Sequence, residues 1–303
     1  MEQFEAITGR NLKLYFRDRG AVFFSLLSML VVICLMVFFL GDMNIENITE
    51  LLGQFPGRDV QADRKNAELT VLVWTCAGIL SINAVTVTLA AYSVMIKDKT
   101  TGKLNSIYTA PVSRTVIAAG YVAAAWVDSV LVCGITLFLT EAYCVAKGLA
   151  VFPFAVHMQL LGMILLNSFV YAAFMYVPAV LVKTEGAWSG LGTVVGTLVG
   201  FLGGIYIPVG ALSDTVGKVM KCTPVLYGAS MFRKVMTGKL LDETFFGIPD
   251  EILAKYRIVM GIDLEIAGRN VGTAQEGLLL FVCGGVLLAA GVAILKYGKR
   301  TDR

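Results

Sequence analysis

The stretch 69–95 reads LTVLVWTCAGILSINAVTVTLAAYSVM and contains no charged residue from end to end. A helix rises about 1.5 Å per residue, so this stretch exceeds the roughly 30 Å thickness of a bilayer's hydrocarbon core. A soluble protein could not cover several apolar segments of this length. We therefore expect residues 69–95 to cross a membrane as a single helix.

The rest of the chain repeats this pattern. Of 303 residues, 57% are hydrophobic and 16% are charged, whereas soluble domains average about 25% charged residues. The composition predicts an all-α integral membrane protein, with one transmembrane domain over 1–303. The first apolar block is too long for a signal-peptide core and lacks an A-x-A-like site, so we expect it to remain as an anchor. The six predicted transmembrane helices are 21–40, 69–95, 115–142, 159–182, 188–207 and 277–295.

Basic residues set the expected orientation. They concentrate in three segments that six crossings would place on one side, and this side should be the cytoplasm. Both termini would then be cytoplasmic, and 208–276 would be an extracellular loop. The basic residues are Arg10, Lys13, Arg17 and Arg19 in 1–20, Lys97, Lys99, Lys103 and Arg114 in 96–114, and Lys296, Lys299, Arg300 and Arg303 in the tail.

The segment 1–20 has two interpretations. Its basic and apolar residues separate onto opposite faces of a helix, which is typical of an amphipathic helix on the cytoplasmic membrane surface. It could equally be a basic flank that only fixes topology. The basic face holds Arg10, Lys13 and Arg17, and the apolar face holds Phe4, Leu12 and Tyr15.

Several function classes find no support. The G-x-x-x-x-G-K-S/T motif is missing, so the chain cannot cradle ATP phosphates in a P-loop of its own. His157 is the only histidine, which leaves little for acid–base catalysis. The six cysteines form no C-x-x-C pair, which argues against a metal site or disulfide framework. A bridge between Cys144 and Cys222 stays open, and nothing indicates nucleic-acid binding.

The segment 96–114 is too polar for the bilayer core but carries a small apolar stripe. Leu104, Ile107 and Tyr108 lie at i, i+3 and i+4, and Pro111 should end the short helix. Such a stripe on a cytoplasmic loop can dock into a groove of another protein. It could instead pack on the chain's own transmembrane bundle.

This segment resembles the cytoplasmic loop of ABC-2 permeases, the membrane components of bacterial exporters. That loop has an acidic residue, G-T-L, a hydrophobic pair and T-P-x-S-R; here Asp98 stands where the family has glutamate. The resemblance implies that 96–114 is a cytoplasmic coupling loop whose helix fits a cleft of the ATPase. The implied ATPase-coupling residues are Asp98, Gly102, Leu104, Ile107, Tyr108, Pro111 and Arg114.

A second resemblance covers the end of helix five and the region after it. Residues 203–208 read GGIYIP and 223–233 read TPVLYGASMFR, similar to the family's small-aromatic-Pro turn and Pro-hydrophobic-Tyr stretch. In relatives these form a re-entrant extracellular element, which would involve Pro208, Pro224 and Tyr227 here. We expect 237–276 to be an exposed outer loop and assign it no role.

Helix five carries glycines at every fourth position. Gly192, Gly196, Gly200 and Gly204 would form one smooth face, along which another helix can approach closely. The partner could be a second permease, as the resemblance implies, or another helix of the same chain.

Asp128 is the single acid well inside an apolar block. Because a charge in lipid is costly, its side chain should face protein or a wet cavity. It could line a translocation path for a cationic or amphipathic substrate. It could also be protonated and bonded to a neighbouring helix, with Asn83 or Asn167 as its partner.

The resemblance implies a permease subunit of an ATP-binding cassette exporter in the bacterial cytoplasmic membrane. Its substrate would be a drug, peptide, lipid or glycan. Its partners would be a second permease, identical or related, membrane lipids, and two copies of a separate ABC ATPase. The ATPase would bind the ATP and magnesium.

The residues themselves leave two alternatives: an ATP-independent secondary transporter or channel, and a polytopic membrane enzyme. The first usually shows inverted repeats or charged midplane residues, and the second lacks a visible catalytic cluster.

Overall fold

The computed structural model describes residues 1–20, 22, 23, 27, 30, 31, 34, 41–266 and 268–297. Over these residues the chain is mainly helical, as the apolar blocks predict. The helices, numbered within the described part, are α1 (Glu2–Arg17), α2 (Gly41–Gly53), α3 (Val60–Ala91), α4 (Ser93–Thr100), α5 (Lys103–Thr109), α6 (Arg114–Ala146), α7 (Phe154–Leu181), α8 (Glu185–Leu202), α9 (Asp214–Lys221), α10 (Pro224–Thr244), α11 (Asp250–Val259) and α12 (Thr273–Tyr297).

A short antiparallel hairpin was not expected from the sequence. Strand β1 (Leu264–Ile266) pairs with β2 (Arg269–Val271), with Leu264 opposite Val271. The turn between the strands contains Gly268, whose positive φ of 74° favours glycine. The hairpin leads directly into α12.

Helix α3 is the centre of the bundle, and α2, α6, α7, α8 and α10 all pack against it. Every residue from Val73 to Thr88 is buried. A helix that is apolar on all sides gains most free energy when it is surrounded on all sides. The uncharged stretch 69–95 therefore forms the core of the protein.

Four described helical segments are long and apolar enough to cross a membrane. They correspond to four of the six predicted transmembrane helices and make the chain a multi-pass membrane protein. The segments are Val60–Thr100, where α3 continues into α4, Arg114–Ala146, Phe154–Leu181 and Thr273–Leu295. The predicted helix 21–40 lies outside the described residues, apart from the six positions given above.

Helix α8 is not among the four segments. It ends at Leu202, five residues before the predicted end of 188–207, and its 18 residues include the charged Glu185. The reason for the early end is the pair Gly203 and Gly204: Gly204 adopts φ of 60°, which a helix interior does not allow. Gly204 therefore lies outside α8 and does not extend the glycine face.

Side-chain caps fix the beginnings of three helices. Asp59 accepts hydrogen bonds from the backbone N–H groups of Gln61 and Ala62 at the start of α3. Ser113 does the same for α6, and Thr184 for α8. These caps satisfy helix N–H groups that would otherwise lack partners.

The region expected to be an exposed outer loop is folded and contributes in part to the core. Within 237–276, the second half of α10, the turn after α11 and the hairpin supply buried apolar side chains, including Leu241, Met260 and Ile262. The prediction of an exposed loop is wrong because this region packs on α3 and α12 rather than standing in solvent.

Candidate functional site: the α4–α5 segment and its anchors

The predicted loop 96–114 begins as a continuation of the membrane helix. α4 runs to Thr100, and the chain then turns at Gly102, whose φ of 74° favours glycine. The short helix α5 follows and ends before the extended residue Ala110. Pro111 comes directly after, as the sequence predicts.

The apolar stripe of α5 faces the chain's own bundle. Leu104 is 5% exposed and belongs to the hydrophobic core, and Ile107 and Tyr108 pack against that core. Of the two interpretations given above, the stripe therefore follows the one in which it packs on the chain's own transmembrane bundle. The polar face of α5 is exposed, with Lys103, Asn105, Ser106 and Thr109.

Asp98 anchors the segment to α1 and α6. Its carboxylate accepts two hydrogen bonds of 2.7 Å from the guanidinium of Arg10 and one of 2.6 Å from the hydroxyl of Tyr121. These bonds to Asp98 raise the pKa of Arg10. Asp98 is buried, so its carboxylate is directed into the protein and not toward a partner surface.

Helix α1 packs along the first turns of α6. The close approach takes place at Gly120, where a β-carbon would lie 2.5 Å from Cγ2 of Ile7. Arg10 therefore leaves the solvated basic face that the sequence predicts, while Lys13 and Arg17 stay exposed. The ion pair between Arg10 and Asp98 was not predicted from the sequence, because the two residues are 88 positions apart.

Lys99 anchors the segment to α7. Its ammonium donates to the backbone carbonyls of Ala179, Val180 and Val182, which are left without partners at the end of α7. A cation at a helix C-terminus also interacts favourably with the helix dipole. Next to it, the hydroxyl of Thr100 donates to Glu185 at the start of α8.

At the far side of α5, Arg114 lies 5.4 Å from the ring of Tyr108. The cation and the ring together fix the connection between α5 and α6. Of the predicted coupling residues, Asp98, Leu104, Ile107 and Tyr108 thus hold the segment in place, while Pro111 and Arg114 are exposed. Their contacts with a partner stay a prediction.

The glycine face of α8 is open in part. Gly200 is covered by the ring of Tyr206, and Gly192 approaches Leu89 of α3. A β-carbon at Gly196 would meet no described atom within 4 Å. A groove of about 590 Å³ lies here, with Thr193, Thr197 and Phe201 among its described lining residues.

Asp128 is 1% exposed, and its Oδ1 atom has no hydrogen-bond partner among the described residues. The two asparagines considered as its partners are engaged elsewhere. Asn83 donates to Thr136, and Asn167 donates to the carbonyl of Ser81. Its role in a translocation path stays a prediction.

Near the predicted re-entrant element, Arg233 is fully buried in α10. Its guanidinium donates to the carbonyls of Gly203 and Gly204, each at 3.0 Å, and lies 4.3 Å from the ring of Trp74. It thereby ties the turn after α8 to α10 and α3. The sequence analysis did not identify this anchor. The feature that could have indicated it is Arg233 itself, a charged residue that follows nine uncharged residues, 224–232.

The predicted members of that element lie in the connections between α8, α9 and α10 and in the first turns of α10. Pro208 precedes the 3-10 turn Val209–Ala211, and Pro224 is the first residue of α10, where proline is well tolerated. The hydroxyl of Tyr227 donates to the carbonyl of Lys221 and so closes the corner between α9 and α10.

A second buried polar group joins α10 to α12. Lys234 forms an ion pair of 2.9 Å with Glu276, which is fully buried, and Ser230 donates to the same carboxylate. Lys234 also donates to the carbonyl of Val271 at the end of β2. The hairpin and the last helix are thereby fixed to α10.

Cys76 and Cys144 are both buried in the hydrophobic core. Both are free, and Cys222 is exposed elsewhere. The disulfide between Cys144 and Cys222 that the sequence left open is not formed in this structure.

The fold and the buried α4–α5 anchors define a multi-pass helical membrane protein with a polar segment at one end of the bundle. Residues 2–237 match the family described as ABC-2 type transporter, and the chain belongs to this family. It is therefore a membrane permease component of an ABC-type transporter. Membership implies, in general terms, an ABC ATPase as partner. The comparison with curated proteins finds no match.

Proposed function

We propose that this chain is the permease subunit of an exporter that is driven by a separate ABC ATPase. The cargo would be a drug, peptide, lipid or glycan that leaves the cell, and ATP and magnesium would bind to the ATPase. The observation that carries the proposal is the family match over 2–237, which includes the whole α4–α5 segment.

In this proposal the chain crosses the membrane six times. The four long apolar segments provide four of the crossings, and 21–40 and α8 provide the other two. The basic residues of 1–20 and 96–114 support a cytoplasmic position for both segments and both termini. The bacterial cytoplasmic membrane is the location that the family resemblance supports. A second permease would complete the transporter, and the open part of α8 at Gly196 supports its place.

The anchors of the α4–α5 segment suit it to transmit motion. A displacement of α5 would pass through Asp98 to α1 and α6, and through Lys99 to the end of α7 and the start of α8. Packed helices move as units when they are joined by such contacts. ATP-driven closure of the ATPases would thus reach helices on two sides of the bundle.

Because the apolar stripe of α5 faces inward, we assign ATPase docking to its exposed polar face and to Pro111. Asp98 then acts as a positioning residue that holds the segment, and Leu104 is part of its support. A change of Leu104 would damage the fold together with docking, so the exposed residues are the better targets for a test.

The test introduces bulk and charge on the exposed face with Asn105→Arg and Ser106→Arg. The tagged protein is purified in mild detergent together with its ATPase, which is identified by its P-loop sequence. We expect co-purification and ATP-dependent transport to fall about tenfold or more, because one unpaired charge in an interface costs more than 1.4 kcal/mol.

Thr215→Arg is the matched control, since Thr215 is exposed on α9 in the region assigned to the other side of the membrane. It should leave co-purification unchanged. If no P-loop ATPase accompanies the folded wild-type protein, or if the α5 variants bind it normally, the proposal is wrong as stated.

A further inference from the structure

A cavity of about 550 Å³ lies between α2, α3 and α6, at the end of the bundle opposite the α4–α5 segment. We call it the α2–α3–α6 cavity. Its walls are largely apolar, with Leu69, Leu72 and Ile79 from α3 and Leu139 from α6. Its volume lies within the range typical of small-molecule sites.

The depth of the cavity matches one leaflet of a bilayer. The lining residues of α3 extend from Lys65 to Ile79, and the uncharged part, from Leu69 to Ile79, corresponds to about 15 Å along the helix axis. Half of a hydrocarbon core of about 30 Å is about 15 Å. An acyl chain that enters beside Glu68 would therefore reach the level of Ile79.

Charged side chains surround only the outer end of the cavity. Asp42 and Glu68 provide two carboxylates, of which Glu68 forms an exposed ion pair of 3.5 Å with Arg64, and Lys65 and Lys147 provide two ammonium groups. Asp42 and Lys65 form no ion pair with any described residue, and Lys147 lies 5.7 Å from the ring of Tyr143. The rim can thus pair with a headgroup that carries both signs of charge.

The two threonine hydroxyls of the walls are already used in hydrogen bonds. The hydroxyls of Thr75 and Thr140 donate to backbone carbonyls of their own helices. A polar cargo would lose its hydration there without gaining hydrogen bonds. The walls therefore favour a hydrocarbon chain.

We infer that the α2–α3–α6 cavity binds an amphiphile, with an acyl chain between the helices and a zwitterionic headgroup at the rim. The molecule can come from two sources with the same chemistry: a phospholipid of the bilayer, or a lipid-like cargo of the transporter. The binding itself does not depend on the proposed ATPase coupling.

The test uses the full chain in nanodiscs that contain a phosphatidylethanolamine with a photoactivatable acyl chain. After illumination, mass spectrometry locates the labelled peptides. We expect labelling of the cavity to saturate at a low mole fraction of the probe, since a bound molecule is retained. Labelling of the lipid-facing surface of α12, at Leu278 and Phe281, should rise in proportion to the probe.

Leu72→Trp fills the cavity and should reduce its labelling about tenfold. Ile135→Trp places the same ring on the exposed face of α6 and should have no effect. The double variant Lys65→Ala and Lys147→Ala should lower retention of the zwitterionic probe. Labelling of the cavity that rises in proportion, as on α12, or that resists Leu72→Trp would overturn the inference.

A second arm of the experiment, with the ATPase present, distinguishes the two sources of the bound amphiphile. A bilayer lipid stays in the cavity when ATP is added, whereas a cargo leaves it and is found in the opposite leaflet. Both results support binding. Failure of the ATPase to associate would affect only this arm, so the two proposals fail independently.

Discussion

At the scale of single residues, the buried polar side chains of this apolar chain join segments that are distant in sequence. Arg233 is the strongest example, because its guanidinium contacts the turn after α8, the turn at Gly261 and the ring of Trp74. Within the described residues it forms no ion pair. Its charge is stabilised instead by carbonyl dipoles and an aromatic face.

We expect Arg233→Met to destabilise the protein by about 2–4 kcal/mol, because the carbonyls of Gly203 and Gly204 lose their donors inside the core. The thermal midpoint in detergent, followed by tryptophan fluorescence, measures the effect. Lys239→Met on the same helix is the control, since Lys239 is exposed and, among the described residues, pairs only with Glu243. Equal midpoints for both variants would show that Arg233 is not an anchor.

At the scale of elements, α10 depends on one glycine to fit between α3 and α7. A β-carbon at Gly228 would lie 2.5 Å from Oδ1 of Asn167 and 2.7 Å from Oγ of Ser81. Those two side chains are themselves held in hydrogen bonds, Ser81 to the carbonyl of Val225 and Asn167 to that of Ser81. The space cannot be opened without breaking them.

Gly228→Ala should therefore destabilise the protein by about 1–3 kcal/mol, the usual cost of overpacking. Gly238→Ala lies on the same helix, where a β-carbon meets nothing within 4 Å. It should be neutral or stabilise by up to about 1 kcal/mol through helix propensity. Unfolding midpoints of the two variants provide the comparison, and a tolerated Gly228→Ala would contradict this account of the packing.

At the scale of the whole molecule, the bundle leaves two kinds of apolar surface. α12 and one face of α6 expose large side chains, such as Phe281 and Phe138, that suit contact with lipid. α8 also exposes large side chains, such as Val194 and Leu198, but it has in addition a groove at Gly196, where another helix could approach closely. This groove supports the assignment of the second permease to α8.

Gly196→Leu should leave the fold of the chain intact, since no described atom lies within 4 Å of its β-carbon. If α8 forms the interface, the variant should shift the protein from dimer to monomer in light scattering of the purified complex. Gly190→Leu adds the same side chain at an exposed position about 120° away around the helix and should not. A dimer that survives Gly196→Leu would place the interface elsewhere.

The sequence alone determined the membrane class and the main helices. Long uncharged stretches such as 69–95 have one stable environment, because their backbone polar groups must be paired within a helix when water is absent. The order of the short motifs in 96–114 and 203–233 was sufficient to indicate the family. These features are local, so periodicity and composition capture them.

Only the tertiary structure decided which residues meet. The Arg10–Asp98 pair, the carbonyl ligands of Arg233 and the inward direction of the α5 stripe all join segments far apart in the chain. Local pattern cannot distinguish an apolar stripe that awaits a partner from one that packs on its own bundle. The early end of α8 and the folding of 237–276 into the core likewise depend on what α3 and α10 bury together, which is a property of the packed helices and not of any one segment.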